Sequence, residues 1–262
     1  MSQYVDVTVH NTIATVTLNN PAKRGALSLA AMQQLTCAFQ DMRARQNIHV
    51  VVLASKGKVF SAGHDLSEVH GADEDGQREI FEACTELMLT IQNIPQPVIA
   101  KVHGLATAAG CQLVATCDLA VAAASAQFAT PGVRIGLFCS TPMVALSRAV
   151  SRKMAMRMLL TGEPLDADDA LIHGLVSHVA SDEDLDTTVQ ALADRVAEAS
   201  AATVSIGKQA FYEQINVPTV EAYERMSEVM TQNAILPDAQ EGIGAFLEKR
   251  EPVWQHRKQQ EG

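Results

Sequence analysis

Hydrophobic and polar residues alternate in two short segments at the beginning of the chain. Residues 4–10 read YVDVTVH and residues 13–18 read IATVTL, with Asn11 and Thr12 between them. Alternation with a period of two is typical of strands that bury one face, and the short polar connection predicts a β-hairpin. Three apolar runs of strand length follow, and the first of them is continuous, as in strands buried on both faces. They cover residues 50–54, 97–102 and 119–122.

Between these strands the apolar residues recur at helical spacing. Ser28 is placed to cap a helix. One face of that helix carries Met32, Leu35, Phe39 and Met42. A second helical pattern runs through residues 80–91 and ends before Pro95. Because alternating strands and helices predict parallel strands joined by helical crossovers, the expected fold class is α/β.

After residue 132 the predicted strands largely stop and helical patterns take over. Residues 154–159 have helical spacing, and Gly162 is a good C-terminal stop. Asp238, followed by Glu241, has the spacing of a capping box. Acidic, alanine-rich patterns predict the remaining helices over residues 183–199, 203–215, 219–235 and 238–250. The sequence therefore predicts an α/β core over residues 1–200 and a helical region over residues 201–262.

Charge and cysteine content narrow the class of protein. The 262 residues carry a formal charge of −10, which argues against nucleic acid as a partner because phosphate binding needs clustered Lys and Arg. The short basic pair at Lys23 is expected to be solvated or to meet a ligand phosphate. Five scattered cysteines predict reduced thiols. No run is long enough for a membrane helix, and residues 1–4 lead directly into a strand pattern, so we expect a cytoplasmic protein without a membrane partner.

The stretch GLATAAGCQLVATCD, residues 104–118, joins a predicted strand to a predicted helix. Small residues at such a junction leave backbone N–H groups accessible at the helix start. A carbonyl oxygen that becomes negative during a reaction is stabilised there by these donors and by the helix dipole. The alternative interpretation is that Ala108, Ala109 and Gly110 are small only because the helix packs tightly on a sheet.

Three segments in order, FSAGHDL at residues 60–66, the 104–118 stretch, and QFATP at residues 127–131 followed by Gly136, resemble the enoyl-CoA hydratase/isomerase (crotonase) superfamily. The similarity runs from about residue 5 to residue 254 and is strongest to its enoyl-CoA hydratase domain-containing group. It implies a spiral of ββα turns with a C-terminal helical trimerisation region, assembled as a homotrimer or hexamer. It also implies an acyl-CoA thioester substrate, with no metal and no cofactor beyond coenzyme A.

The same resemblance assigns site residues. The backbone N–H groups of His64 and Ala109 are expected to hold the thioester oxygen in an oxyanion hole. Substrate-binding positions are expected at Lys23, Ala62, His64, Asp65, Leu66, Ser67, Phe246 and Lys249, the last two reaching the coenzyme A of a neighbouring subunit. We expect Asp65 to cap or anchor its loop. His64 and His70 are six residues apart, which is not the spacing of a metal pair on a helix.

Two positions depart from the hydratase pattern. The glutamates that add water in hydratases of this superfamily map to Gln112 and Gly132, neither of which can transfer a proton. Because a positioned acid or base contributes about 10²- to 10⁴-fold, standard hydration is expected to be feeble. Cys139 is expected to cap a helix or to line the acyl pocket.

Three functions stay open on the sequence. The first is an enzyme of the superfamily with altered chemistry, and the second is a non-catalytic acyl-CoA-binding or assembly subunit. The third is an acyl-CoA decarboxylase, because loss of CO₂ forms an enolate without a base. The segment at residues 62–65 resembles that of methylmalonyl-CoA decarboxylase, but the tyrosine of that enzyme's site maps to Cys139.

Overall fold

The computed structural model describes residues 3–255. Within that range, the main sheet has the order β1-β2-β3-β4-β6-β9, in which only the β1–β2 hairpin is antiparallel. These strands are β1 (Val5–His10), β2 (Ile13–Leu18), β3 (Val50–Ser55), β4 (Val98–Val102), β6 (Leu119–Ala123) and β9 (His178–Ala180). Both the hairpin and the parallel strands predicted from the sequence are confirmed.

Helices connect the parallel strands and cover the sheet. The Ser28 hydroxyl accepts a hydrogen bond from the Ala31 amide at 3.2 Å, which confirms the predicted cap, and the predicted apolar face of the following helix is buried. Within residues 3–200 the helices are α1 (Leu29–Ala44), α2 (Leu66–Val69), α3 (Glu74–Asn93), α4 (Ala109–Thr116), α5 (Ser140–Ala149), α6 (Arg152–Thr161), α7 (Ala167–Ile172) and α8 (Leu185–Ala197).

A second, small sheet was not predicted. It pairs β5 (Leu105–Thr107) with β7 (Gln127–Ala129) in parallel and β7 with β8 (Leu165–Asp166) in antiparallel fashion. Strands of two or three residues are too short to show an alternation in the sequence. This sheet matters for the site because the register Thr107↔Ala129 brings the start of α4 beside the segment that follows β7.

Four helices near the predicted positions extend from the end of the core: α8, followed by α9 (Ala201–Gln214), α10 (Thr219–Ala234) and α11 (Pro237–Glu248). The predicted capping box at the last of them is wrong. Pro237 occupies the first turn, and the Asp238 carboxylate is buried, accepting hydrogen bonds from the Ser200 hydroxyl at 2.6 Å and the Gln255 amide at 2.8 Å. Asp238 therefore anchors α11 to the start of α9 instead of capping its own helix.

A buried polar cluster fastens α9 to the core. The Lys208 ammonium donates to the carbonyls of Ile91 and Gln96 at 2.8 and 2.9 Å and lies 2.8 Å from the Asp118 carboxylate. The Tyr212 hydroxyl donates to the same carboxylate at 2.9 Å. Burial lowers the pKa of Lys208, and the Asp118 charge opposes that shift. One carboxylate at the end of the 104–118 stretch thus holds two side chains of α9.

The boundary at residue 200 and the trimeric or hexameric assembly stay predictions, and residues 256–262 of the predicted helical region lie outside the described residues. Several large apolar side chains of α10 and α11 are exposed in the single chain, including Tyr223, Met230, Phe246 and Leu247.

All five cysteines are free, as predicted. None of the helices in the described part of the chain is both long and apolar enough to cross a membrane.

Candidate active site

Two isolated bridges fix the loop that follows β3. Ser61 pairs with Ala106 of β5, and His64 pairs with Leu27. In the second bridge the Leu27 amide donates to the Gly63 carbonyl at 2.8 Å, and the Asp65 amide donates to the Leu27 carbonyl at 3.2 Å. The Gly63 carbonyl and the His64 amide share one trans peptide, so they point in opposite directions. The His64 N–H therefore faces away from Leu27.

The start of α4 lies directly against this loop. An added Cβ on Gly63 would be 2.9 Å from the Ala108 Cβ and 3.2 Å from the Ala109 nitrogen, so only glycine permits this approach. Gly63 also has a φ of 84°, which favours glycine. The Ala108 amide donates to the Ala129 carbonyl at 2.9 Å, whereas Ala109, as the first residue of the helix, has no intrahelical acceptor for its N–H.

Ala108 itself is in an unusual backbone conformation. Its φ of 51° and ψ of −118° lie in a region that residues with a Cβ rarely adopt. Strain of this kind persists only where the surroundings enforce it, and it is concentrated at ligand sites. Here the surroundings are the β5–β7 pairing and the Ala108–Ala129 hydrogen bond, which together aim the Ala109 amide.

A cavity of about 560 Å³ opens where these two backbone segments meet. Six of the residues predicted from the sequence line it: Ala62, His64, Leu66, Ala109, Gly132 and Cys139. The remaining wall is mainly apolar and includes residues that the sequence reasoning did not select, namely Phe81, Thr107, Arg134, Ile135, Leu137 and Phe138. Phe81 lies in the helical pattern predicted over residues 80–91, which assigned it no role at the site.

The other predicted site residues lie off the cavity wall. Asp65 caps α2, as predicted, accepting from the Ser67 amide at 3.1 Å and the Ser67 hydroxyl at 2.6 Å, and it contacts the Lys23 ammonium at 2.6 Å. These hydrogen bonds lower the pKa of Asp65, the bond from Lys23 contributing most. Phe246 and Lys249, on the C-terminal helical region, are exposed and do not line the cavity of the single chain.

The His64 imidazole is in an apolar environment. Its ring packs edge-on against Phe81 with 5.4 Å between the centroids, and both ring nitrogens are buried. Burial lowers the pKa of His64, with the Leu27 backbone opposing the shift. The neutral ring is thus favoured at neutral pH.

This lowered pKa predicts a loss of stability on acidification. The unfolded chain takes up a proton on this histidine near pH 6.5, whereas the folded chain resists it, so the unfolded state binds more protons below about pH 6.5. The free energy of unfolding should therefore fall as the pH drops from 7 to 5.5. Urea unfolding at both pH values should show a smaller drop for His64→Gln than for the natural protein. Equal drops would contradict the assignment to His64.

Gln112, assigned by resemblance to one glutamate position, is turned toward the core. It is buried in α4, and its side-chain oxygen accepts from the Cys84 thiol of α3 at 3.7 Å. Burial raises the pKa of Cys84 to about 12, which keeps that thiol protonated as a donor. Gln112 is not among the residues that line the cavity. The rotation of α4 against α3, which no local pattern specifies, decides this orientation.

Gly132, assigned to the other glutamate position, has no room for a side chain. It lies in the 3₁₀ helix Pro131–Ile135, and an added Cβ would be 2.0 Å from the Leu137 carbonyl oxygen and 2.8 Å from the Cys139 sulfur. The Leu137 amide donates to the Gly132 carbonyl at 3.0 Å, which closes this turn. The segment at residues 137–139 thus fills the space in front of Gly132.

Cys139 lines the cavity but does not cap the helix that it precedes. It occupies the N-cap position of α5, and its side chain makes no capping hydrogen bond. Burial raises the pKa of this thiol, with the Gly132 backbone opposing the shift. Cys139 is therefore a protonated, poorly nucleophilic thiol on the cavity wall. Within residues 3–255, no three His, Cys, Asp or Glu side chains are grouped so that they could hold a metal ion.

The chain is similar to known proteins over almost its whole length. A mitochondrial enoyl-CoA hydratase domain-containing protein 3 from Rattus norvegicus is 48% identical over 245 residues, which are 93% of this chain and 82% of that protein. An enoyl-CoA hydratase structure from Mycobacterium smegmatis matches with a TM-score of 0.94 at 45% identity, covering 97% of this chain and 99% of that one. The human enoyl-CoA hydratase domain-containing protein 3 structure also has a TM-score of 0.94, at 46% identity and 96% and 100% coverage.

These comparisons correct one prediction and confirm two. The curated relatives from rat, Xenopus laevis, Danio rerio and human are all named mitochondrial, which contradicts the expected cytoplasmic location. That expectation drew on the first few residues, and where a sequence begins does not determine the compartment. The crotonase-type fold and the family resemblance are confirmed. The enoyl-CoA hydratase/isomerase family model matches residues 8–257, and the chain therefore belongs to that family.

Proposed function

We propose that the cavity binds an acyl-CoA thioester and that the backbone N–H groups of His64 and Ala109 donate to its carbonyl oxygen. The family binds acyl-CoA thioesters. The observation that carries the proposal is that these two residues, one at a bridged loop and one at a helix start, line the same cavity with amides that the neighbouring backbone leaves free for a ligand. Two such donors and a helix N-terminus suit a carbonyl oxygen that gains negative charge.

The residues around these two amides assign places to the acyl chain and to coenzyme A. The acyl chain takes the apolar wall formed by Leu66, Phe81 and Phe138. Coenzyme A runs along the backbone of residues 62–67, where the Lys23–Asp65 ion pair and the cap of α2 hold the loop. In a homotrimer or hexamer, Phe246 and Lys249 of another subunit complete this part of the site. No metal and no cofactor other than coenzyme A is part of the proposal.

Efficient hydration is not the expected reaction. Water addition needs a group that moves protons, and the two positions assigned to the glutamates offer a buried amide that faces Cys84 and a glycine without space for a side chain. Polarisation of the thioester needs only backbone donors. Reactions that form an enolate without prior proton removal, such as decarboxylation, suit this site, and so does a non-catalytic acyl-CoA-binding role.

The proposed oxyanion hole is tested by removing one donor. Ala109→Pro deletes the amide hydrogen at the first helical position, where proline is tolerated, and Ala109→Gly keeps that hydrogen as the matched control. The infrared carbonyl band of bound, ¹³C-labelled hexanoyl-CoA should shift to lower frequency in the natural protein and in the glycine variant. It should shift less in the proline variant, because one of two donors is lost.

Two further outcomes bear on the proposal. If the natural protein binds no acyl-CoA, or if bound thioester shows the carbonyl frequency it has in water, the proposed site is wrong. Crotonyl-CoA hydration by the same preparation should be far slower than by a hydratase with both glutamates, by about 10²-fold or more. A rate typical of hydratases would show that another residue supplies the acid and base.

A further inference from the structure

One residue with a permanently charged side chain, Arg134, lines the cavity, and it is exposed to solvent. Among the described residues that line the cavity, Arg134 is the only Lys or Arg, and none is Asp or Glu. The wall on which it lies is largely apolar, and the nearby histidine is held toward its neutral form by burial. The guanidinium of Arg134 therefore has no countercharge on the cavity wall.

The structure holds Arg134 in place through one nitrogen. Its Nε donates to the carbonyl of Thr161, the last residue of α6, at 2.9 Å. The helix ends at Gly162, whose added Cβ would be 3.2 Å from that nitrogen and 2.9 Å from the Pro131 Cα. A cation at a helix C-terminus is favourable, so this contact has a structural value of its own.

That structural role uses a small part of the guanidinium. Arginine carries five N–H donors in a planar fork, and the Thr161 carbonyl takes one of them. The two terminal amino groups form the edge that pairs with both oxygens of a carboxylate or phosphate. A lysine or a main-chain donor would cap α6 equally well without offering such a two-pronged edge.

We propose that Arg134 binds an anionic group of the thioester held in the cavity. The inference rests on the proposed function and narrows its substrate class. Two groups of the thioester could supply this anion. One is a carboxylate carried by the acyl chain, and the other is a phosphate of coenzyme A. The first source makes the ligand a dicarboxylic acyl thioester, and the second makes Arg134 part of the general coenzyme A site.

The two sources are separated with a matched pair of ligands. Pentanoyl-CoA and glutaryl-CoA have the same chain length and the same coenzyme A, and they differ by a terminal methyl or carboxylate. Their dissociation constants are measured by calorimetry for the natural protein and for Arg134→Met. A charge-assisted hydrogen bond is worth roughly tenfold or more in affinity.

Selective loss of about tenfold for glutaryl-CoA supports the acyl carboxylate, and an equal loss for both ligands supports the coenzyme A phosphate. Arg134→Lys, which keeps the charge, should retain part of the affinity. Arg148→Met is the control, since Arg148 lies on α5, bonds to its own helix at the Val144 carbonyl and does not line the cavity.

The inference is overturned if Arg134→Met binds both thioesters as tightly as the natural protein does. Such a result would leave Arg134 with only its structural role at the end of α6, and the substitution would then change thermal stability alone. If the natural protein binds neither ligand, the proposed function fails and the inference fails with it. The two failures are therefore distinguished by the natural protein alone.

Discussion

Gly132→Ala should lower the thermal stability of the protein and alter the cavity, although glycine to alanine is usually a mild change. The added Cβ would be 2.0 Å from the Leu137 carbonyl oxygen, far inside van der Waals contact, and 2.8 Å from the Cys139 sulfur. Because the first obstacle is backbone, no rotamer change relieves it. Overpacking of this kind costs about 1–3 kcal/mol or more. The melting temperature of Gly132→Ala, measured at fixed protein concentration, tests this expectation.

The same geometry predicts that hydration cannot be restored by replacing the two residues alone. Gly132→Glu combined with Gln112→Glu should remain inactive on crotonyl-CoA, because the segment at residues 137–139 must move before a side chain fits at residue 132. A glutamate side chain at residue 112 would also be buried beside Cys84. Activity typical of hydratases at unchanged stability would show that this segment is not fixed against Gly132.

A matched substitution at a second glycine separates the steric effect at Gly132 from the general effect of replacing glycine with alanine. Gly207 lies inside α9, and an added Cβ there meets nothing within 4 Å. Alanine is favoured over glycine inside helices by about 0.5–1 kcal/mol, so Gly207→Ala should stabilise the protein slightly. Opposite signs for the two glycine-to-alanine changes would identify the Leu137 carbonyl as the reason for the loss at residue 132.

Lys208→Met should cost about 3–5 kcal/mol of unfolding free energy, as expected when one partner of a buried ion pair is removed. The side chains of Lys208 and Asp118 are only 5% and 17% exposed. The substitution leaves the Asp118 carboxylate without its cation and two backbone carbonyls, of Ile91 and Gln96, without their donor. Urea unfolding with a check of the slope measures the loss.

Two further variants test the cause of that loss of unfolding free energy. Lys56→Met removes an exposed lysine that forms a pair of 2.6 Å with Asp6, and should cost less than about 1 kcal/mol. Adding Asp118→Asn to Lys208→Met removes the uncompensated charge and should recover part of the stability. A loss for Lys208→Met no larger than that of Lys56→Met would contradict the view that this cluster holds α9 to the core.

The parts of the fold that the sequence predicts are those with long periodic patterns. The hairpin, the buried strand β3, the cap at Ser28 and the C-terminal helices follow from alternation, apolar runs and helical spacing. The three short strands β5, β7 and β8 carry no such pattern, yet they set the position of α4. The misassigned Asp238 shows the same limit, since its partners at Ser200 and Gln255 are distant in sequence.

At the site, the sequence predicts the backbone elements better than the side-chain environments. The loop at His64 and the small-residue helix start at Ala109 are recognisable as motifs, and the structure places both on one cavity. The orientation of Gln112 toward Cys84 depends on how two helices pack. The obstruction at Gly132 depends on a carbonyl five residues away. Neither relation follows from the periodicity or the composition of a segment.

The two amides at His64 and Ala109 are positioned by main-chain pairing, through the Leu27 bridge on one side and the small sheet on the other. Because main-chain pairing holds these amides, most side-chain substitutions leave their positions unchanged. Mutation can therefore erase the residues that complete a reaction while the ligand-holding geometry is inherited intact. Variation in the side chains around the cavity can therefore change its chemistry without disturbing the main-chain pairing that positions these two amides.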